Sequence, residues 1–155
     1  MNQWSYNFAS KIMNLRSVAF PALIAANDGW VQYLSAAEEL SVWTTSAIKK
    51  YNRRRVVLYD SNDHAWQVDS INPVKPAGLY AKLVGKKVPV SLSLRPVIEA
   101  PFQFVCDVIN DAIDADDDIL TQSVTASELK ASVQKASSFR TLVHALKMKR
   151  AIQLG

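Results

Sequence analysis

The stretch Asn110 to Gln122, NDAIDADDDILTQ, carries five Asp in thirteen residues. Clustered carboxylates can hold a hard cation, share a proton in catalysis, or solvate a helix end. A calcium loop of the EF-hand type needs oxygen ligands at positions 1, 3 and 5, a glycine at 6 and a bidentate Glu at 12. Counted from Asp114, the first three are Asp114, Asp116 and Asp118, but position 6 is Ile119 and position 12 is Thr125. The turn residue and the bidentate ligand are both missing. Acid–base catalysis needs one carboxyl with a raised pKa, through burial or a close like charge. A run of solvated Asp supplies no burial. The sequence instead places Asp116, Asp117 and Asp118 at the start of a short helix through Ile119 and Leu120, where negative charge meets the positive end of the dipole. Asp111 and Asp114 fall at the opposite, unfavourable end of the preceding helix. Either cations such as Lys130 and Lys135 offset them, or they face a basic partner. All five are therefore candidates for a partner-binding surface.

The remaining chemistry is sparse. His64, His144 and Cys106 are the whole inventory of histidines and cysteines, and no two have ligand spacing. Cys106 lies on an apolar stripe, where a thiol serves as a core residue. No G-x-S-x-G elbow occurs, and four glycines cannot build a phosphate-cradling loop. The expectation is no catalytic residue, no metal and no cofactor; an enzyme with an unrecognised site stays open as an alternative.

A second cluster is basic. Lys49, Lys50, Arg53, Arg54 and Arg55 surround Tyr51 and lead into an apolar run. Cations with an interleaved aromatic can neutralise phosphates and stack a base. They can equally form a solvated loop whose stems cover apolar surface. The net charge of +4 conceals blocks of opposite sign. Residues 46–95 hold ten basic and three acidic side chains, 96–128 hold eight acidic and none basic, and 129–155 hold six basic and none acidic. Pairing between blocks on folding is the simplest expectation.

These clusters must be positioned by regular elements. AFPALIAANDGWVQYL reads as a hairpin turning at Asp28-Gly29, and RVVLYDSNDHAWQVDSI as a second turning at Asp60 to Asp63. Ser35 to Trp43 suits a single helical turn between them. KVPVSLSLR alternates as a half-buried strand, with Pro89 suggesting an edge position. Asn72 to Gly78 is the connecting loop. The period then changes. Pro101 opens a helix carrying Phe102, Val105, Cys106, Ile109 and Ile113 on one face. Thr125 and Glu128 form a capping box, and Ser137 or Ser138 caps a last helix with Phe139, Leu142, Val143 and Leu146. Residues 1–155 read as one α+β domain, with 1–14 irregular: an antiparallel sheet of about five strands, two hairpins plus a further strand, with C-terminal helices packed on one face.

With a single cysteine no internal disulfide forms, which suits a reducing cytoplasm. The apolar run Ser17 to Ala26 is short and broken by Pro21, so it reads as neither a signal peptide nor a membrane span.

The layout resembles the small α+β immunity proteins of bacterial toxin–immunity systems. The likeness rests on FPALIAANDGWVQYL, LYDSNDHAWQV and the late helices around VTASELKASVQKASSFRTLV. The resemblance implies a non-enzymatic inhibitor that binds one cognate toxin domain. Nuclease inhibitors of this kind are often acidic, whereas this chain is net basic. The expected function is a protein-binding module of immunity type; the alternative is a basic nucleic-acid-binding accessory protein.

Overall fold

A computed structural model describes residues 15–75, 78–115 and 125–149. Six strands form one antiparallel sheet: β1 (Ala22–Ala26), β2 (Val31–Leu34), β3 (Val42–Thr44), β4 (Val56–Asp60), β5 (Ala65–Pro73) and β6 (Lys87–Pro96). Their order is β2-β1-β4-β5-β6-β3. A 3₁₀ turn (Ala37–Leu40) precedes β3, and two short helices, α1 (Thr45–Tyr51) and α2 (Leu79–Val84), precede β4 and β6. The helices α3 (Pro101–Asp114), α4 (Ala126–Lys135) and α5 (Phe139–Lys149) follow the sheet.

The two hairpins form as their turn residues require, and with the same geometry. In the first, the Ala26 amide donates to Trp30 and the Gly29 amide to Ala26, which closes a three-residue loop. In the second, the Asp60 amide donates to His64 and the Asp63 amide to Asp60. The last loop residue is left-handed in both: Gly29 at φ 106° and Asp63 at φ 64°. A type I turn followed by one left-handed residue matches the twist of the flanking strands.

β1 and β4 are buried at every position. Apolar residues without alternation mark strands covered on both faces. Leu23, Ala25, Val57 and Tyr59 face α3, α4 and α5. Ala22, Ile24, Ala26, Val56 and Leu58 face a second core with Leu40, Trp43 and Ile48. That second core exists because the sheet curls. β2 and β3 occupy opposite edges yet are joined by residues 35–41. Five strand spacings would set them about 24 Å apart in a flat sheet, and a linker partly coiled into a 3₁₀ turn falls short of that. The sheet therefore rolls until Trp30 and Trp43 touch, with ring centroids 5.5 Å apart.

Four expectations need correction. The sheet has six strands, because Val42–Thr44 pairs with β6 where only a helical turn is expected. β6 is interior and lies between β5 and β3. Pro89 is tolerated there because its carbonyl accepts from Val74 just past the end of β5. Its missing N–H faces that same margin. The basic run is only partly a loop: Lys49 to Tyr51 finish α1, and Asn52 to Arg55 form the turn into β4. The loop expected over Asn72 to Gly78 is shorter, because Asn72 and Pro73 pair with β6 as the last residues of β5. The Pro101 start, the Thr125–Glu128 capping box and the Ser138 cap are present as read. The Asp116 to Leu120 helix lies outside the described residues.

A basic, apolar-tipped end as the candidate binding site

One end of the rolled sheet gathers α1, α2, the Asp28 turn and the start of β6. Thr44 caps α1 by accepting the Ala47 amide, and Ile48 anchors the helix in the second core. Lys49 and Lys50 fall in the last turn, where cations suit the dipole. Asn52 then ties the helix end to β5. Its Nδ2 donates to the Ile71 carbonyl at 3.0 Å, and its Oδ1 accepts the Ile71 amide at 2.7 Å. The clamp sits just beyond a register shift between Val68 and Ser70, where the ladder is locally open.

The five cations of the run have different fates. Lys50 places Nζ 3.0 Å from Asp28 Oδ2, and this hydrogen-bonded partner raises the lysine pKa. The Asp28 carboxylate is otherwise shielded and receives no further well-formed hydrogen bond. Arg55 lies 5.7 Å from the centre of the Phe104 ring. Lys49, Arg53 and Arg54 are exposed and join no ion pair among the described residues. Tyr51 is not open beside them. Its ring packs against Trp30 at 4.6 Å and Trp43 at 5.8 Å, and burial pushes its pKa up. The stacking platform expected of a nucleic-acid reader is thus taken up by the core.

Sequence reading missed the apolar tip. Leu79 is 73% exposed, Leu83 76%, Val84 55% and Val74 62%. Leu79 and Leu83 are four residues apart in α2, so they share a face. Lys75, Lys82 and Lys86 are exposed among them, and no acid occurs from Ser70 to Ile98. The acid-free interval and the leucine spacing were the available signal.

The acidic candidates lie elsewhere. Asp111 and Asp114 are exposed on α3, in the helical layer. Asp114 pairs with Lys130 of α4, one of the cations expected to offset it. Asp116, Asp117 and Asp118 lie outside the described residues. Among the described residues, no ion pair joins the acidic block to the basic one before it.

The second hairpin turn holds a buried carboxylate. Asp60 accepts four hydrogen bonds, from the amides of Ala19, Asn62 and His64 and from Trp66 Nε1. His64 Nδ1 is 3.9 Å away, too far for a hydrogen bond. With its lone pairs filled, Asp60 is a structural staple. Cys106 is buried, as expected of a core thiol. Among the described residues, no group of three His, Cys, Asp or Glu could hold a metal ion. None of the described helices is long and apolar enough to cross a membrane.

Compared with known proteins, the chain matches no family model, no curated protein and no solved structure.

Proposed function

We propose that this chain is a non-catalytic binding module for a protein partner with an acidic surface around an apolar centre, acting as an immunity-type inhibitor of a cognate bacterial toxin domain. The observation that carries the reading is the α2 tip, where Leu79, Leu83 and Val84 stand in solvent with Lys82 and Lys86 exposed beside them in the chain. Contiguous exposed apolar surface rimmed by charge marks interaction sites. Apolar anchors supply the buried centre of an interface, and the cationic rim steers an acidic partner onto it. A nucleic acid would use the cations and leave Leu79, Leu83 and Val84 in water, which favours a protein. The net basic charge of this end points to an acidic target surface.

A photo-crosslinking residue at position 83, with position 111 as control, tests this in the native host. The expected result is one discrete protein adduct from position 83 only, lost when Lys75, Lys82 and Lys86 are changed to Glu. That partner should arrest growth when expressed alone and cease to do so with this chain. A nuclease-sensitive adduct would support the nucleic-acid-binding alternative, and a lipid adduct a membrane surface. A harmless protein partner would remove the inhibitor role.

A further inference from the structure

The rolled edges of the sheet leave a cavity of about 190 Å³ between β2 and β3. Trp30, Trp43, Tyr51, Leu34 and Leu40 supply its apolar wall, and Lys87 stands at its rim. An apolar cavity of about 150 Å³ holds one benzene ring, so this one has room for a single small ring system. The indole N–H groups are already used: Trp43 Nε1 donates to the Leu40 carbonyl at 2.9 Å, and Trp30 Nε1 to Gln32 Oε1 at 3.2 Å. What the two side chains offer a ligand is therefore ring surface.

Two charged side chains stand at the rim. Glu39 also lines the cavity, but its Oε1 accepts the amides of Ser35 at 2.8 Å and Ala36 at 3.3 Å. Those amides, at the start of the 3₁₀ turn, hold the carboxylate in place. Lys87 joins no ion pair among the described residues. A ligand entering here meets aromatic faces inside and, at the mouth, an uncommitted ammonium beside a carboxylate held by backbone amides.

We infer that this cavity binds a small planar aromatic carboxylate, its ring against the wall that Trp30, Trp43 and Tyr51 form together and its anion on Lys87. Edge-to-face contacts with the indoles and the phenol hold the ring. The carboxylate sets the orientation. This site needs no protein partner and stands apart from the contact proposed for the α2 tip.

Phenylacetate, phenylacetamide and phenethylamine are matched probes with an anionic, a neutral and a cationic tail, and none shares the indole fluorescence of the protein. Titration is read by tryptophan fluorescence and by the shift in melting temperature, since a ligand that binds the native state stabilises it. Saturable quenching is expected in the order phenylacetate, phenylacetamide, phenethylamine. Lys87→Gln should cut the preference for the acid over the amide by about two- to fivefold, the scale of a solvent-exposed pair. Ala47→Leu, which fills the cavity from α1, should abolish quenching by all three probes. Gln32→Phe does the same from β2, and serves if the first variant fails to fold. Leu83→Asp should leave probe binding unchanged while it removes the proposed protein contact. Equal binding of the three probes, quenching that survives both filling variants, or no saturable signal would overturn the inference.

Discussion

Asp63 Oδ1 accepts the amide of Phe139 at 2.6 Å, across 76 residues of sequence. The same oxygen accepts the Tyr59 hydroxyl at 2.9 Å. A hairpin turn thus caps the first turn of α5 and docks the last helix on the sheet. This accounts for an Asp at a left-handed position whose counterpart in the other hairpin is Gly29. Glycine would fit the backbone with less strain, but it has no carboxylate to offer α5.

Two substitutions separate these roles. Asp63→Ala should cost about 2 kcal/mol, since it removes the cap and keeps the left-handed backbone. Asp63→Gly should cost less, because it loses the cap and relaxes the backbone. Urea unfolding at neutral pH reads both. Equal losses would show that the backbone conformation contributes nothing, and no loss in either would show that the cap is idle.

Asp60 should be far less forgiving. Asp60→Ala strands four donors, two of them the Ala19 amide and the Trp66 indole. Each buried group left unpaired costs about 1–3 kcal/mol, so a loss above about 3 kcal/mol is expected. Asp60→Asn should recover little of it, because its amide nitrogen points a donor at donors. The near-ultraviolet signal of Trp66 should change with the loss. A variant as stable as the parent would mean that water replaces the carboxylate.

Cys106 supplies a pH dependence with a definite sign. Burial, with a smaller push from Asp107, raises its thiol from the ordinary 9.0 to about 11. The folded chain therefore keeps a proton that the unfolded chain gives up as the pH passes 9. Stability present below pH 9 should fall as the pH rises towards 11. Burial, with the hydrogen bond to Asp63, also raises Tyr59 and adds a loss in the same direction above its ordinary 10.0. Urea unfolding at pH 8, 9, 10 and 10.5 should show a shallower decline for Cys106→Ala than for the parent. Identical slopes would mean that the thiol titrates alike in both states. Labelling of the native thiol at pH 8 should be slow and become fast in denaturant.

Local chemistry was the legible part of this chain. Asp-Gly, the T-x-x-E box and Pro101 each act within a few residues, and each stands where the sequence puts it. Features set by distant partners were hidden. β3 has three residues and exists because β6 lies beside it. α1 was masked by its own cations, although Thr44 stood ready as its cap. Pro89 looked like an edge marker because nothing local reveals that β5 stops short of it. Of the acids at the end of α3, Asp114 pairs with Lys130, one of the two cations named for it, whereas Asp111 joins no ion pair among the described residues. The site itself was half legible. The basic run was visible, whereas the aromatic cavity depends on Trp30 and Trp43 meeting across the seam.

β1 and β4 separate two cores that have no side chain in common. Each strand sends alternate residues into a different interior, so a change in one reaches the other only through the backbone. Substitutions on opposite faces should accordingly combine additively. The helical layer then acts as a chassis, and the seam with its basic tip as a replaceable head. Variation could remodel the end proposed to bind a partner, even drastically, with the packing behind it untouched. A protein that must track a changing partner gains from that insulation.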